Sequence, residues 1–146
     1  MSSGRLTHAA IRSLDWVAQK TLASNSLSKH DTGRRGEEDA YFFLRRLGHV
    51  MVARNFRSPH HHGEIDLIGW EKNVLCFIEV KTRTTHDVKP AEAAVDHAKW
   101  RSLRQVAGDY LRNLPPVCQW RFDIVTVYYD FWSSPARCEL FKNAGS

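Results

Sequence analysis

Glu64 to Arg83 reads EIDLIGWEKNVLCFIEVKTR. Two apolar runs, Glu64-Ile65-Asp66-Leu67-Ile68 and Phe77-Ile78-Glu79-Val80-Lys81, flank a short polar Glu71-Lys72-Asn73 turn. That pattern predicts two strands closed into an antiparallel hairpin. Three acids and a lysine interrupt the runs, and buried charge is costly unless it is paired or bound to a metal. The hairpin therefore carries the question of function as well as of fold.

Side chains alternate along a strand, so Glu79 and Lys81 share one face, and Glu64 and Asp66 share one face of the neighbouring strand. Pairing around the short turn brings Asp66 close to Glu79 and Lys81. Two carboxylates at one point repel unless one is protonated or a cation lies between them. Oxygen ligands of this kind favour Mg²⁺, which binds through one or two carboxylates, waters and substrate phosphate. An adjacent lysine can position a water or neutralise developing negative charge. The set suits metal-assisted phosphodiester hydrolysis. The competing reading is an internal salt-bridge cluster of Lys81 with Asp66 and Glu79, since structural ion pairs also occupy clefts.

Upstream, GRRGEEDAYFFLRRLG (33–48) predicts a helix with Glu37, Glu38 and Asp39 early and Arg45 and Arg46 late, which suits the helix dipole. Gly48 is its expected stop. Glu37, Ala40, Tyr41 and Leu44 form the inward stripe, so Glu37 turns toward the sheet and Glu38 toward solvent. HVMVARNFR (49–57) predicts a further strand. Downstream, Pro90 to Asn113 predicts a second helix, with Val95, Leu103, Val106, Ala107 and Tyr110 as its apolar stripe. RFDIVTVYY (121–129) predicts a last strand, parallel to the Glu79 strand across a helical crossover. The fold class is α/β: an α-β-β-β-α-β core with a mixed sheet flanked by helices.

The 146 residues suit one compact domain with a tail. Residues 1–31 are expected to be an N-terminal extension with a short helix and a serine-rich linker, 32–130 the domain, and 131–146 a tail without a clear signature. Lys and Arg number 21 against 16 acids, a net +5 that permits a polyanionic partner without establishing one. No apolar run approaches the ~20 residues of a membrane span, and no signal-type apolar segment opens the chain. Cys76, Cys118 and Cys138 are widely spaced, without a C-x-x-C, as expected of a reduced cytoplasmic protein.

Gly33-x-x-Gly36-Glu37-x-x-Ala40, Asn55-x-Arg57, Gly63-Glu64-Ile65-Asp66-Leu67-Ile68, Glu79-Val80-Lys81-Thr82-Arg83 and Arg121-x-Asp123-x-Val125 together resemble the bacterial YraN family. That family belongs to the PD-(D/E)xK nuclease superfamily, with its restriction-endonuclease-like core, and resembles archaeal Holliday-junction resolvases. The resemblance spans roughly residues 32 to 130. It implies Asp66 and Glu79 as ligands of Mg²⁺, which Mn²⁺ can replace, Lys81 as the catalytic lysine and Glu37 as the helix acid. The Val80 carbonyl is a candidate third ligand. The SPHHHG loop and the N-terminal extension are not part of the match.

Arg57, Arg83, Lys99 and Arg101 are candidates for nucleic-acid contact, each weighed against a solvated or snorkelling side chain. His60, His61 and His62 invite a zinc reading, but consecutive histidines point in different directions and no fourth ligand stands at a recognised spacing. A polar loop is the plainer expectation. Asp123 either joins the acid cluster or pairs with Arg121; pairing is expected. The leading function is a metal-dependent endonuclease on DNA, with branched, flapped or otherwise structured DNA as the expected substrate class. The alternative is a non-catalytic nucleic-acid-binding or adaptor protein on the same fold. A homodimer stays open, and no membrane partner is expected.

Overall fold

The computed structural model describes residues 30–84, 96–129 and 136–145. The chain divides into two units, 1–34 and 35–146. The second unit holds a five-stranded sheet in the order β1-β2-β3-β4-β5. The strands are β1 (Val50–Arg57), β2 (Glu64–Glu71), β3 (Val74–Thr84), β4 (Gln119–Tyr129) and β5 (Arg137–Phe141). Helix α1 spans residues 30–46 and α2 spans His97–Leu111.

The hairpin forms with a two-residue Lys72-Asn73 turn and Glu71 opposite Val74. β3 and β4 run parallel over their full length, from Val74–Gln119 to Thr84–Tyr129, while the other three pairs are antiparallel. A parallel pair needs a crossover, and α2 lies in it. Three departures from the sequence expectation stand out. The C-terminal tail is not featureless: Arg137–Phe141 pairs with β4 and caps the sheet as a fifth strand. The second helix ends at Leu111 rather than Asn113, and residues 90–95 of the expected helix lie outside the described residues. α1 is already helical at His30, upstream of its expected start.

Alternation on β3 divides the core between the two helices. Leu75 and Phe77 pack with Leu103, Val106 and Ala107 of α2, while Cys76 and Ile78 pack with Ala40 and Leu44 of α1. Each helix thus covers one face of the sheet, which explains why β3 is apolar on both faces. Phe77 is fully buried and meets Phe122 at 5.6 Å and Tyr110 at 5.9 Å between ring centroids. α1 stops at Gly48, whose φ of 95° is the left-handed cap conformation that glycine adopts without strain. Earlier in the helix α1 lies against β3 at Gly36, where a Cβ would collide with the Thr82 side chain. That glycine lets the helix backbone approach the strand that carries Glu79 and Lys81.

Candidate active site

β2 and β3 place Asp66 and Glu79 one step beyond the Leu67–Ile78 pair. Asp66 Oδ2 accepts the Val80 backbone N–H at 2.7 Å, so the carboxyl is held across the strand gap. Glu79 is 5% exposed. Its Oε1 accepts from Lys81 Nζ at 2.8 Å and pairs with Lys99 Nζ at 3.2 Å. Its Oε2 is buried and has no hydrogen-bond partner. Asp96 caps α2, accepting from the Lys99 backbone N–H at 2.8 Å, and this puts Lys99 in the first turn, over the site.

Burial, together with the nearby Glu79 charge, pushes the Asp66 carboxyl well above the usual range, to about 7. The Val80 N–H opposes that rise, the Glu37 charge adds to it and Lys99 offsets part of it. Three charged side chains, Glu79 from β3, Glu37 from α1 and Lys99 from α2, therefore act on the one carboxyl of β2. Glu37 arrives through a relay: Asn55 Nδ2 donates to Glu37 Oε2 at 3.1 Å and to Glu64 Oε1 at 2.8 Å. Glu38, next along the helix, is exposed.

The cationic candidates divide. Lys99 belongs to the site, with its side chain 42% exposed. Arg57 is spoken for by Glu64, with Nε at 2.7 Å and Nη2 at 2.5 Å from Oε2. Arg83 holds two guanidinium nitrogens, Nε and Nη2, buried and without a partner. Arg101 is exposed on α2. The three histidines do not gather around a point. His61 Nδ1 lies 2.7 Å from Asp109 Oδ2 on α2, and Ser102 Oγ donates to the His62 carbonyl at 2.6 Å. Ser58 also donates to Asp109. These contacts fasten the 58–63 loop to α2 just ahead of Glu64. Asp123 pairs with Arg121, whose Nε lies 2.8 Å and 3.0 Å from its two oxygens.

A buried carboxylate oxygen without a donor is an expensive arrangement. Asp66 and Glu79 converge there with oxygen ligands only, the chemistry that Mg²⁺ and Mn²⁺ prefer. The residues fit a divalent cation.

Residues 36–127, from α1 to the end region of β4, match the model of the uncharacterised protein family UPF0102. The chain belongs to that family. It is 55% identical over 124 residues to a UPF0102 protein of Koribacter versatilis, covering 85% of each chain. It is 36% identical over 119 residues to a UPF0102 protein of Caldicellulosiruptor saccharolyticus, covering 81% of this chain and 99% of that one. A UPF0102 protein of Solibacter usitatus is 47% identical over 98 residues, 65% of this chain and 73% of its own. The UPF0102 match stops before β5, in keeping with the lack of a clear signature in that strand's sequence.

Two residues of the site were not singled out for it by sequence. Asn55 was visible only as part of a motif; its φ of 50° is a conformation Asn tolerates better than most residues, and that bend aims its amide between Glu37 and Glu64. Glu64, expected on the face of Asp66, closes the relay with Asn55 and Arg57. Among the described residues no helix is long and apolar enough to cross a membrane.

Proposed function

We propose that this protein is a metal-dependent endonuclease that hydrolyses phosphodiester bonds of DNA, with branched or otherwise structured DNA as its substrate. The observation that carries this reading is the Glu79 carboxylate: buried, engaged by Lys81 and Lys99 through one oxygen, and without a partner on the other, beside an Asp66 whose charge burial disfavours. The element order and the D…E-x-K set on β2 and β3 also support kinship with the restriction-endonuclease-like PD-(D/E)xK superfamily. A cytoplasmic location belongs to the same reading.

Asp66 and Glu79 would hold Mg²⁺ or Mn²⁺, with the Val80 carbonyl as a third protein ligand. Such a cation supplies Lewis-acid polarisation of a phosphoryl oxygen and offsets the charge that builds on it. Lys81 is tethered to Glu79 and presents an ammonium that orients a water or neutralises the developing charge. Glu37, held by Asn55, would accept a hydrogen bond from a water on the helix side of the site. Lys99 and the exposed Arg101 of α2 would meet a phosphate backbone, and Arg83 on β3 would join them by turning out its two buried, unpartnered donors.

A second reading has its own observation. Lys81 and Lys99 already neutralise Glu79 without a metal, which favours a nucleic-acid-binding or adaptor protein built on this fold. A cleavage panel decides between them: duplex, flap, fork and four-way junction DNA, with Mg²⁺ or Mn²⁺, for the wild type and Asp66→Ala. The nuclease reading expects metal-dependent cleavage by the wild type alone. Binding without cleavage on every substrate would favour the adaptor.

A further inference from the structure

A second cluster of ligand-type side chains lies away from this site. His49, Cys76 and Asp123 are 4%, 0% and 0% exposed. One imidazole nitrogen, the Cys76 sulfur and one Asp123 oxygen lie within 4.8 Å of one another. His49 follows the Gly48 cap of α1, Cys76 faces α1 from β3, and Asp123 faces it from β4. Glu79 stands three residues further along β3 and on the opposite face, about 10 Å away along the strand. The two sites share no residue.

Both ring nitrogens of His49 are buried and make no hydrogen bond. A buried imidazole ordinarily finds a partner for at least one nitrogen; here the nearby Leu44 backbone and the charges of Glu71, Asp123 and Arg121 act on the ring without closing a hydrogen bond of normal geometry. The Cys76 thiol makes a long 3.6 Å contact to the Val74 carbonyl, and the Asp123 carboxylate and the Glu71 backbone also act on it. Asp123 Oδ1 accepts from Arg121 Nε and from the Asn143 N–H at 2.9 Å, whereas Arg121 Nε reaches Oδ2 at 3.0 Å. A carboxylate has about four acceptor positions, which leaves capacity on Oδ2. Arg121 also donates to Glu71 at 2.6 Å, so its charge is partly offset before a cation arrives.

We infer that His49, Cys76 and Asp123 form a second metal site that takes a zinc-like ion and ties the end of α1 to β3 and β4. An imidazole, a thiolate and a carboxylate are a mixed donor set of the kind zinc accepts, and the thiolate selects against Mg²⁺. Zinc bonds of about 2.0–2.3 Å place tetrahedral donors about 3.3–3.8 Å apart. Side-chain rotation that closes the present spacing by about 1 Å completes three positions, with water in the fourth. On loading, the Cys76 S–H bond breaks, its proton leaves to solvent and the sulfur lone pair binds the ion; no electron is transferred.

The test uses Co²⁺ as a spectroscopic probe on the full, chelator-stripped chain. A near-ultraviolet thiolate-to-cobalt band should appear at one equivalent and persist in Asp66→Ala, which separates this site from the hydrolytic one. It should persist in the Cys118→Ser/Cys138→Ser double variant, where Cys76 is the sole thiol. His49→Phe should weaken Co²⁺ binding by at least about tenfold. Cys76→Ser should abolish the band; if that variant fails to fold, the double variant decides alone. No band in the wild type, or its loss in the double variant, would overturn the inference.

Discussion

Lys81 Nζ sits 2.8 Å from Glu79 Oε1 while the other oxygen of the same carboxylate is buried without a partner. The pair is thus half satisfied. The lysine balances the carboxylate charge yet leaves one lone-pair direction for a ligand from outside the chain.

That division predicts separate effects on cleavage and binding. Lys81→Ala should abolish cleavage while DNA affinity falls only slightly, because one cation among several is removed. The salt dependence of binding should drop by about one unit of slope. Cleavage at the wild-type rate in Lys81→Ala would remove the lysine from the chemistry. Joint loss of binding and cleavage would favour the adaptor reading.

Glu37 and Glu38 are neighbours with different surroundings: the first accepts from Asn55, the second is exposed. Glu37→Gln should slow cleavage about tenfold or more, equivalent to about 1.4 kcal/mol of barrier. Glu38→Gln should change little. Cleavage rates of both variants at one Mg²⁺ concentration check this, and the reverse order would take Glu37 out of the site.

Asp109 governs the loop that leads into Glu64. Hydrogen bonds from Ser58 and then His61 hold its carboxyl at about 2, below the ordinary value near 3.8. A carboxyl depressed on folding stabilises the protein above its unfolded pKa, and that contribution is lost as pH falls through the folded value. The Tm gap between wild type and Asp109→Asn should therefore be full above about pH 4 and shrink toward pH 2. Melts at stepped pH measure it; a gap independent of pH would mean the carboxylate charge is not what holds the loop.

Gly36 has no room for a methyl group beside Thr82. Gly36→Ala should destabilise the protein by about 1–3 kcal/mol, since overpacking moves α1 off β3. Adding Thr82→Gly should recover part of that loss, a coupling that a double-mutant cycle resolves. Independent effects would mean that the helix contacts the strand elsewhere.

Periodicity made the hairpin, both helices and the parallel last strand legible, because each buries a face whose spacing is written in the chain. Asp66, Glu79 and Lys81 stood out for the same reason: charge inside a strand with two buried faces has no solvent to explain it. β5 was not legible, since its stability comes from pairing with β4 rather than from its own pattern, and ladder hydrogen bonds carry no sequence signature. Nor were the partners of each charge. The Lys99–Glu79 contact, the Asn55 relay and the His49 cluster join residues between 9 and 74 positions apart. Sequence by itself determined which side chains turn inward. Which of them meet, and which meet nothing, was decided only when two helices closed on opposite faces of one sheet.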